Sequence, residues 1–155
     1  MRKAGTRAPS FTLPDHSGEP VSLGDFAGRP VVLYFYPKDD TPGCTTQACE
    51  FRDAWRDVQD TGAVVLGISP DDAASHAKFR RKRRLPFPLL ADTDHAVASR
   101  YGAWGEKQMF GVKYRGILRT TFVIDGAGTI RHVFERVRPK GHAAQVLEVL
   151  RTLAD

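Results

Sequence analysis

The stretch Tyr34-Phe35-Tyr36-Pro37-Lys38-Asp39-Asp40-Thr41-Pro42-Gly43-Cys44-Thr45-Thr46-Gln47-Ala48-Cys49 decides how this chain is read. It joins a continuous β-branched and aromatic run, Val31 to Tyr36, to a segment with helical periodicity. Such an unbroken apolar run is what a strand buried on both faces requires. Beyond it, Phe51, Trp55 and Val58 recur at spacings of four and three, which predicts a helix over Ala48 to Gln59 with Gly62 placed to end it. Pro37 and Pro42 restrict the connecting loop, and Gly43 permits close backbone approach. Cys44 therefore falls in or near a first helical turn at the carboxyl end of a buried strand. Ligands of α/β sheets bind at that edge, and the unpaired N–H groups of a helix start favour an anion there.

Outward from this stretch, strand and helix signals alternate. Ala63 to Ile68 repeats the buried-strand pattern, and Asp71 or Asp72 is placed to cap a helix running towards Arg84. A short helix is expected over His95 to Tyr101. Thr121 to Ile124 and Thr129 to Phe134 flank Asp125-Gly126-Ala127-Gly128, a strong hairpin signal. His142 to Leu153 has an apolar side made of Val146, Leu147, Val149, Leu150 and Leu153, which predicts a closing amphipathic helix. At the other end, Phe11–Leu13 and Val21–Leu23 read as short strands around the turn Asp15-His16-Ser17-Gly18. The expected fold is an α/β sandwich with a central mixed sheet and helices on both faces, containing a right-handed βαβ unit. Its 155 residues suit one domain over 1–155.

Composition narrows the function classes. Apolar residues at 41% and charged residues at 26% are those of a globular protein rather than a disordered chain. No apolar run reaches the ~20 residues of a membrane-spanning helix. The first residues carry charge without an apolar stretch behind them, so no secretory signal is read and the expected location is cytoplasmic. The net charge of +5 equals the charge of one run, Arg80-Arg81-Lys82-Arg83-Arg84, which lies outside the cysteine stretch. A basic helix end facing solvent accounts for that run, and no aromatic or Gly-rich segment accompanies it as nucleic-acid binding would ask. The five histidines are scattered and there are only two cysteines, so no metal site is expected.

Redox or nucleophilic chemistry remains. The thiolate is the nucleophile, and a free thiol of pKa ~8.5 is only about 3% ionised at pH 7 unless a helix N-terminus or an arginine assists. Thr41 can bring a hydroxyl to the same pocket. Cys44 and Cys49 are spaced as C-x4-C, not as the C-x-x-C of dithiol oxidoreductases. In a continuous helix their Cα atoms would stand roughly 8.7 Å apart, against the ~4.4–6.8 Å of a disulfide. Either the two cysteines are unrelated, or the first helical turn unwinds during turnover.

Pro37-x-x-x-Thr41-x-x-Cys44 resembles the active-site motif of the peroxiredoxins. The fuller string through Gln47-Ala48-Cys49 and Phe51-Arg52-Asp53 is similar to the bacterioferritin comigratory, or Q-type, branch. The likeness continues through Val65–Ser69, Leu89–Asp92, Tyr101–Lys107 and Arg119–Asp125, and so covers nearly the whole chain in order. The resemblance implies a thioredoxin-like sandwich with an N-terminal β-hairpin extension. It implies Cys44 as the peroxidatic cysteine and Cys49 as the resolving one, closing an intramolecular disulfide that thioredoxin or a similar dithiol donor reduces. Thr41 would hydrogen-bond the peroxide, Arg119 would hold the thiolate and peroxide oxygens, and Gln47 would orient Arg119. Pro37 would shield and shape the pocket, beside Gly43. No metal, haem or flavin would take part, and the family branch points to a monomer without membrane attachment. The expected substrates are hydrogen peroxide and organic hydroperoxides. Two readings compete: a nucleic-acid-binding domain using Arg80–Arg84, and a redox-sensing or chaperone role for the same disulfide switch.

Overall fold

A computed structural model describes residues 1–153. Its central sheet has five strands, side by side in the order Leu89–Ala91 (β5), Val64–Ser69 (β4), Val31–Phe35 (β3), Thr120–Ile124 (β8) and Ile130–Phe134 (β9). The middle strand is β3 (Val31–Phe35), entirely buried as its unbroken apolar run demands. It pairs in parallel with β4 (Val64–Ser69), Val31 opposite Val64, and antiparallel with β8 (Thr120–Ile124), Val31 opposite Ile124. Strand β4 pairs in parallel with β5 (Leu89–Ala91), and β8 forms the expected hairpin with β9 (Ile130–Phe134). The sheet is mixed because a crossover joins β3 to β4 whereas a tight turn joins β8 to β9.

Alternate residues of β3 serve two cores. Val32, Tyr34 and, one residue past the strand, Tyr36 point towards α1 (Pro42–Asp53), α2 (Trp55–Asp60), α3 (Ala73–Arg83) and α5 (His142–Leu153). Val31, Leu33 and Phe35 point towards α4 (Ala96–Tyr101) and the N-terminal residues Ala8 and Phe11. Helices thus cover both faces, four against one. The aromatic centre of the first core is built on Tyr34, whose ring stacks on Phe51 at 5.1 Å and on Tyr36 at 5.4 Å. Gly67 on the neighbouring strand makes room for it, since a Cβ there would lie 2.8 Å from the Tyr34 hydroxyl. The N-terminal extension is a β1 (Thr12–Pro14) and β2 (Pro20–Ser22) hairpin, with Leu13 opposite Val21.

Three elements differ from the sequence expectation. The helix expected over Ala48–Gln59 begins six positions earlier, at Pro42, and breaks at Ala54 into α1 and α2. Proline suits the first helical position because its missing N–H has no intrahelical partner. Strand β5 is three residues long, too short for a pattern. A second hairpin, β6 (Trp104–Met109) and β7 (Val112–Ile117), leads directly into Arg119. Asp72, not Asp71, caps α3, its carboxylate accepting from the Ser75 N–H at 2.8 Å. No helix among the described residues is long and apolar enough to cross a membrane.

Candidate active site

The site forms where β3 ends and α1 begins. Residues 36–41 carry the chain from Phe35 to Thr41, which occupies the N-cap position of α1 in extended conformation. Thr41 does not cap with its side chain; its hydroxyl donates instead to the Lys38 carbonyl at 2.8 Å. Cys44 therefore sits in the first turn, where backbone N–H groups lack intrahelical acceptors and the helix dipole is positive. Its side chain is buried, whereas Cys49, one and a half turns further along the same unbroken helix, is half-buried. Both are free thiols.

Arg119 arrives from the residue just before β8. Its Nη2 donates to Cys44 Sγ at 3.3 Å and its Nη1 to Gln47 Oε1 at 2.6 Å. The guanidinium fork thus spans two residues on successive turns of one helix face, as their i, i+3 spacing permits. Gly43 lies under the same group, where an added Cβ would come within 3.4 Å of Arg119 Nη2 and of Pro139 Cγ. Of the sequence-selected residues, Cys44, Gln47, Gly43 and Arg119 converge on this point. Pro37 is half-buried in the loop, and Thr41 makes no hydrogen bond to Cys44.

Further residues frame the site. Burial, with the charge of Cys44 as the next cause, pushes the Tyr34 hydroxyl well above its ordinary pKa. It stays a neutral phenol beneath α1 and has no hydrogen-bond partner. Lys107 on β6 feels the site electrostatically. Its pKa is lowered, first by burial and then by Arg119, while Cys44 acts to raise it. Its ammonium sits 5.9 Å from the centre of the Tyr114 ring.

The loop also carries a polar network that the sequence did not disclose. Asp39, 7% exposed, accepts from the Tyr36 hydroxyl at 2.6 Å and the Ser75 hydroxyl at 2.8 Å, and lies 2.7 Å from His76 Nδ1. His76 Nε2 faces the Leu90 carbonyl at 2.9 Å. A carbonyl only accepts, so that nitrogen carries a proton. Asp71 accepts from the Asp39 N–H at 2.8 Å and from the Ser69 hydroxyl at 2.6 Å. Asp39, Asp71 and His76 are the one group of metal-ligating side chains gathered among the described residues, their ligand atoms lying within 4.8 Å of one another. Those atoms are engaged with each other and with these donors.

The basic run was expected to stand clear of the cysteine stretch, and here the structure corrects the reading. Lys82 Nζ donates to Asp40 Oδ2 at 2.8 Å and Arg83 Nη2 lies 3.6 Å from Asp40 Oδ1. Arg80 Nε donates to the Phe87 carbonyl at 3.1 Å. Three of the five cations are thus occupied within the chain, two of them on the active-site loop.

Comparison with known proteins fits this geometry. Residues 4–133 match the AhpC/TSA family. The chain is 52% identical over 145 residues to the putative peroxiredoxin bcp of Coxiella burnetii, covering 94% of this chain and 96% of that one. It is 44% identical over 151 residues to peroxiredoxin Bcp of Bacillus subtilis, covering 97% and 96%. Among solved structures it is similar to the Xanthomonas campestris bacterioferritin comigratory protein, studied for alkyl peroxide reduction in trapped intermediate and ligand complexes. That match has a TM-score of 0.92 at 34% identity and covers 99% of this chain and all 100% of that one. A PrxQ mutant of Xylella fastidiosa matches with a TM-score of 0.93 at 33% identity, covering 100% and 99%. The chain therefore belongs to the AhpC/TSA family and is a peroxiredoxin of the Bcp type, a thiol-dependent peroxidase.

Proposed function

We propose that Cys44 is the peroxidatic cysteine and Cys49 the resolving one, within a single catalytic domain spanning 1–155. The observation that carries this reading is the Arg119 fork, which places a fixed positive charge 3.3 Å from Cys44 Sγ at the start of α1. A nucleophilic thiolate needs that charge, and so does the oxygen that departs as the O–O bond breaks.

In the first step the Cys44 thiolate attacks the terminal peroxide oxygen. An S–O bond forms and the O–O bond breaks, so sulfur loses two electrons and the departing alkoxide or hydroxide takes up a proton. Arg119 stabilises the charge that develops on that oxygen. Thr41 accepts from the hydroperoxide proton, because its own hydroxyl proton is already given to Lys38. In the second step the Cys49 thiol displaces water from the Cys44 sulfenic acid, forming the disulfide. A dithiol donor, thioredoxin or one like it, then returns two electrons by thiol–disulfide exchange. All redox chemistry runs through sulfur and requires no cofactor.

Hydrogen peroxide and organic hydroperoxides are both substrates in this reading. Support for the organic class comes from the similar Xanthomonas campestris protein, which was studied for its alkyl peroxide reduction activity. A monomer is part of this reading, on the resemblance to the Q-type branch. The recycling step is tested by coupling peroxide consumption to NADPH oxidation through thioredoxin and its reductase. Turnover in wild type that vanishes in Cys49→Ser supports it; undiminished turnover in Cys49→Ser overturns the assignment of Cys49.

A further inference from the structure

The basic run and the buried histidine belong to one device. Helix α3 meets the active-site loop at both of its acidic residues. Ser75 and His76 hold Asp39, and Lys82 and Arg83 hold Asp40. The same helix also reaches the far end of α1, where Arg52 Nη1 donates to the Arg83 carbonyl at 2.7 Å. Helix α3 is itself fixed, with Phe79 in the core and His76 bonded to the Leu90 carbonyl of β5. It therefore brackets the segment that contains Cys44 and Cys49, gripping the chain just before Thr41 and again at Arg52.

Asp40 is where the upstream grip acts on conformation. Its φ of 60° places it in the left-handed region, which L residues other than Asn and Asp rarely occupy. The hydrogen bond from Lys82 holds its carboxyl below the ordinary range, the sign of a charge that is favoured by its setting. With Asp40 held there, Thr41 enters α1 as the N-cap and the first turn stays wound.

We propose that α3 is a clamp whose residues Ser75, His76, Lys82 and Arg83 position the Asp39–Asp40 loop and bias the first turn of α1 towards its wound state. These are positioning residues, since none of them touches the sulfur atoms. The inference rests on the Cys44–Cys49 assignment above. Its consequence is kinetic. A wound turn keeps Cys49 away from the Cys44 sulfenic acid, so the clamp sets how long that species persists. While it persists, a second peroxide can oxidise it to the sulfinic acid, forming a second S–O bond as another O–O bond breaks. Loosening the clamp should shorten its lifetime and protect the enzyme from over-oxidation.

The test compares wild type, Asp40→Asn, Lys82→Ala/Arg83→Ala and the combined triple variant, using intact mass to count disulfide against sulfinic acid along a hydrogen peroxide titration. Asparagine keeps tolerance of the left-handed conformation while removing the charge. Exposed ion pairs of this kind contribute little, so the peroxide concentration that half-converts the protein to sulfinic acid should rise by roughly two- to five-fold. The triple variant should rise no further than either parent, because both remove the same contact. Wild type in about 1 M salt should move towards the variants, which themselves should not respond. Thresholds equal to wild type, additive effects, or no salt response in wild type would each overturn the clamp. Ser75→Ala tests the buried half of the grip in the same assay and should shift the threshold the same way. If Cys44→Ser still consumes peroxide normally, the cysteine assignment has failed instead, and the two failures are distinguishable.

Discussion

Arg119 and Gln47 lie 72 positions apart in the chain, yet Arg119 Nη1 donates to Gln47 Oε1 at 2.6 Å while Nη2 of the same group reaches Cys44. Gln47 therefore fixes the fork that serves the sulfur. Lysine at this position keeps a charge but has no fork, and it cannot bridge both partners. Arg119→Lys should slow the reaction of Cys44 with peroxide by about 10²–10³-fold, the scale of losing one transition-state donor. Gln47→Ala should cost less, on the order of tenfold, because the arginine remains but is free to wander. Stopped-flow rates under single-turnover conditions check both.

Thr41 makes a sharper prediction about direction of bonding. Its hydroxyl proton is committed to Lys38, so towards substrate it can only accept. Thr41→Ser should retain most of the rate with peroxide, and Thr41→Val should lose roughly a hundredfold or more, as expected when one polar contact to the reacting group is removed. Equal rates in Thr41→Val and wild type would remove the residue from the mechanism.

The wound helix cannot place Cys44 beside Cys49, since both lie inside α1. Oxidation must therefore unwind its first turns. Amide exchange should show residues 45–49, whose N–H groups begin the hydrogen-bonded ladder of α1, protected in the reduced protein and exposed in the disulfide form, while β3 and β4 stay protected in both. Identical protection in the two states would contradict the assignment.

A separate prediction concerns acid stability. Burial holds the His142 pKa down from 6.5 to about 4, opposed by its hydrogen bond with Gln145 and assisted by Arg119. The neutral ring bonds the Thr121 hydroxyl at 2.8 Å through Nε2. In the unfolded chain the same ring binds its proton near pH 6.5, so between these values the unfolded state holds more protons. The contribution to stability is then complete above about pH 6.5 and falls away towards pH 4, by on the order of 3 kcal/mol. Denaturant midpoints measured from pH 7 to pH 4 should fall less steeply in His142→Asn than in wild type.

Much of the fold was legible because its central strands are buried on both faces. Val31–Phe35 and Val64–Ser69 carry no polar alternation to obscure them. The β6–β7 hairpin was not legible for the opposite reason. Its strands are largely exposed, and it turns at Phe110-Gly111 with positive φ at both, 52° and 81°. That turn ordinarily carries Asn-Gly, so the phenylalanine hides it. In the site, Cys44, Thr41 and Gly43 could be read because they fall within four consecutive positions at the start of α1. The contacts from α3 could not. His76 and Asp39 are 37 positions apart, and Lys82 and Asp40 are 42 apart, so only folding shows that a charged helix end is bound to the cysteine loop.

The central claim is that Cys44 reacts with peroxide and Cys49 resolves it. It is tested most directly by adding one equivalent of hydrogen peroxide to the reduced protein. Free thiols and intact mass are then measured for wild type, Cys44→Ser and Cys49→Ser. The account predicts that wild type loses both thiols to a disulfide, that Cys49→Ser stops at a sulfenic acid that can be trapped, and that Cys44→Ser does not react. A Cys44→Ser variant that consumes peroxide as fast as wild type, or a wild type that keeps both thiols, would contradict it.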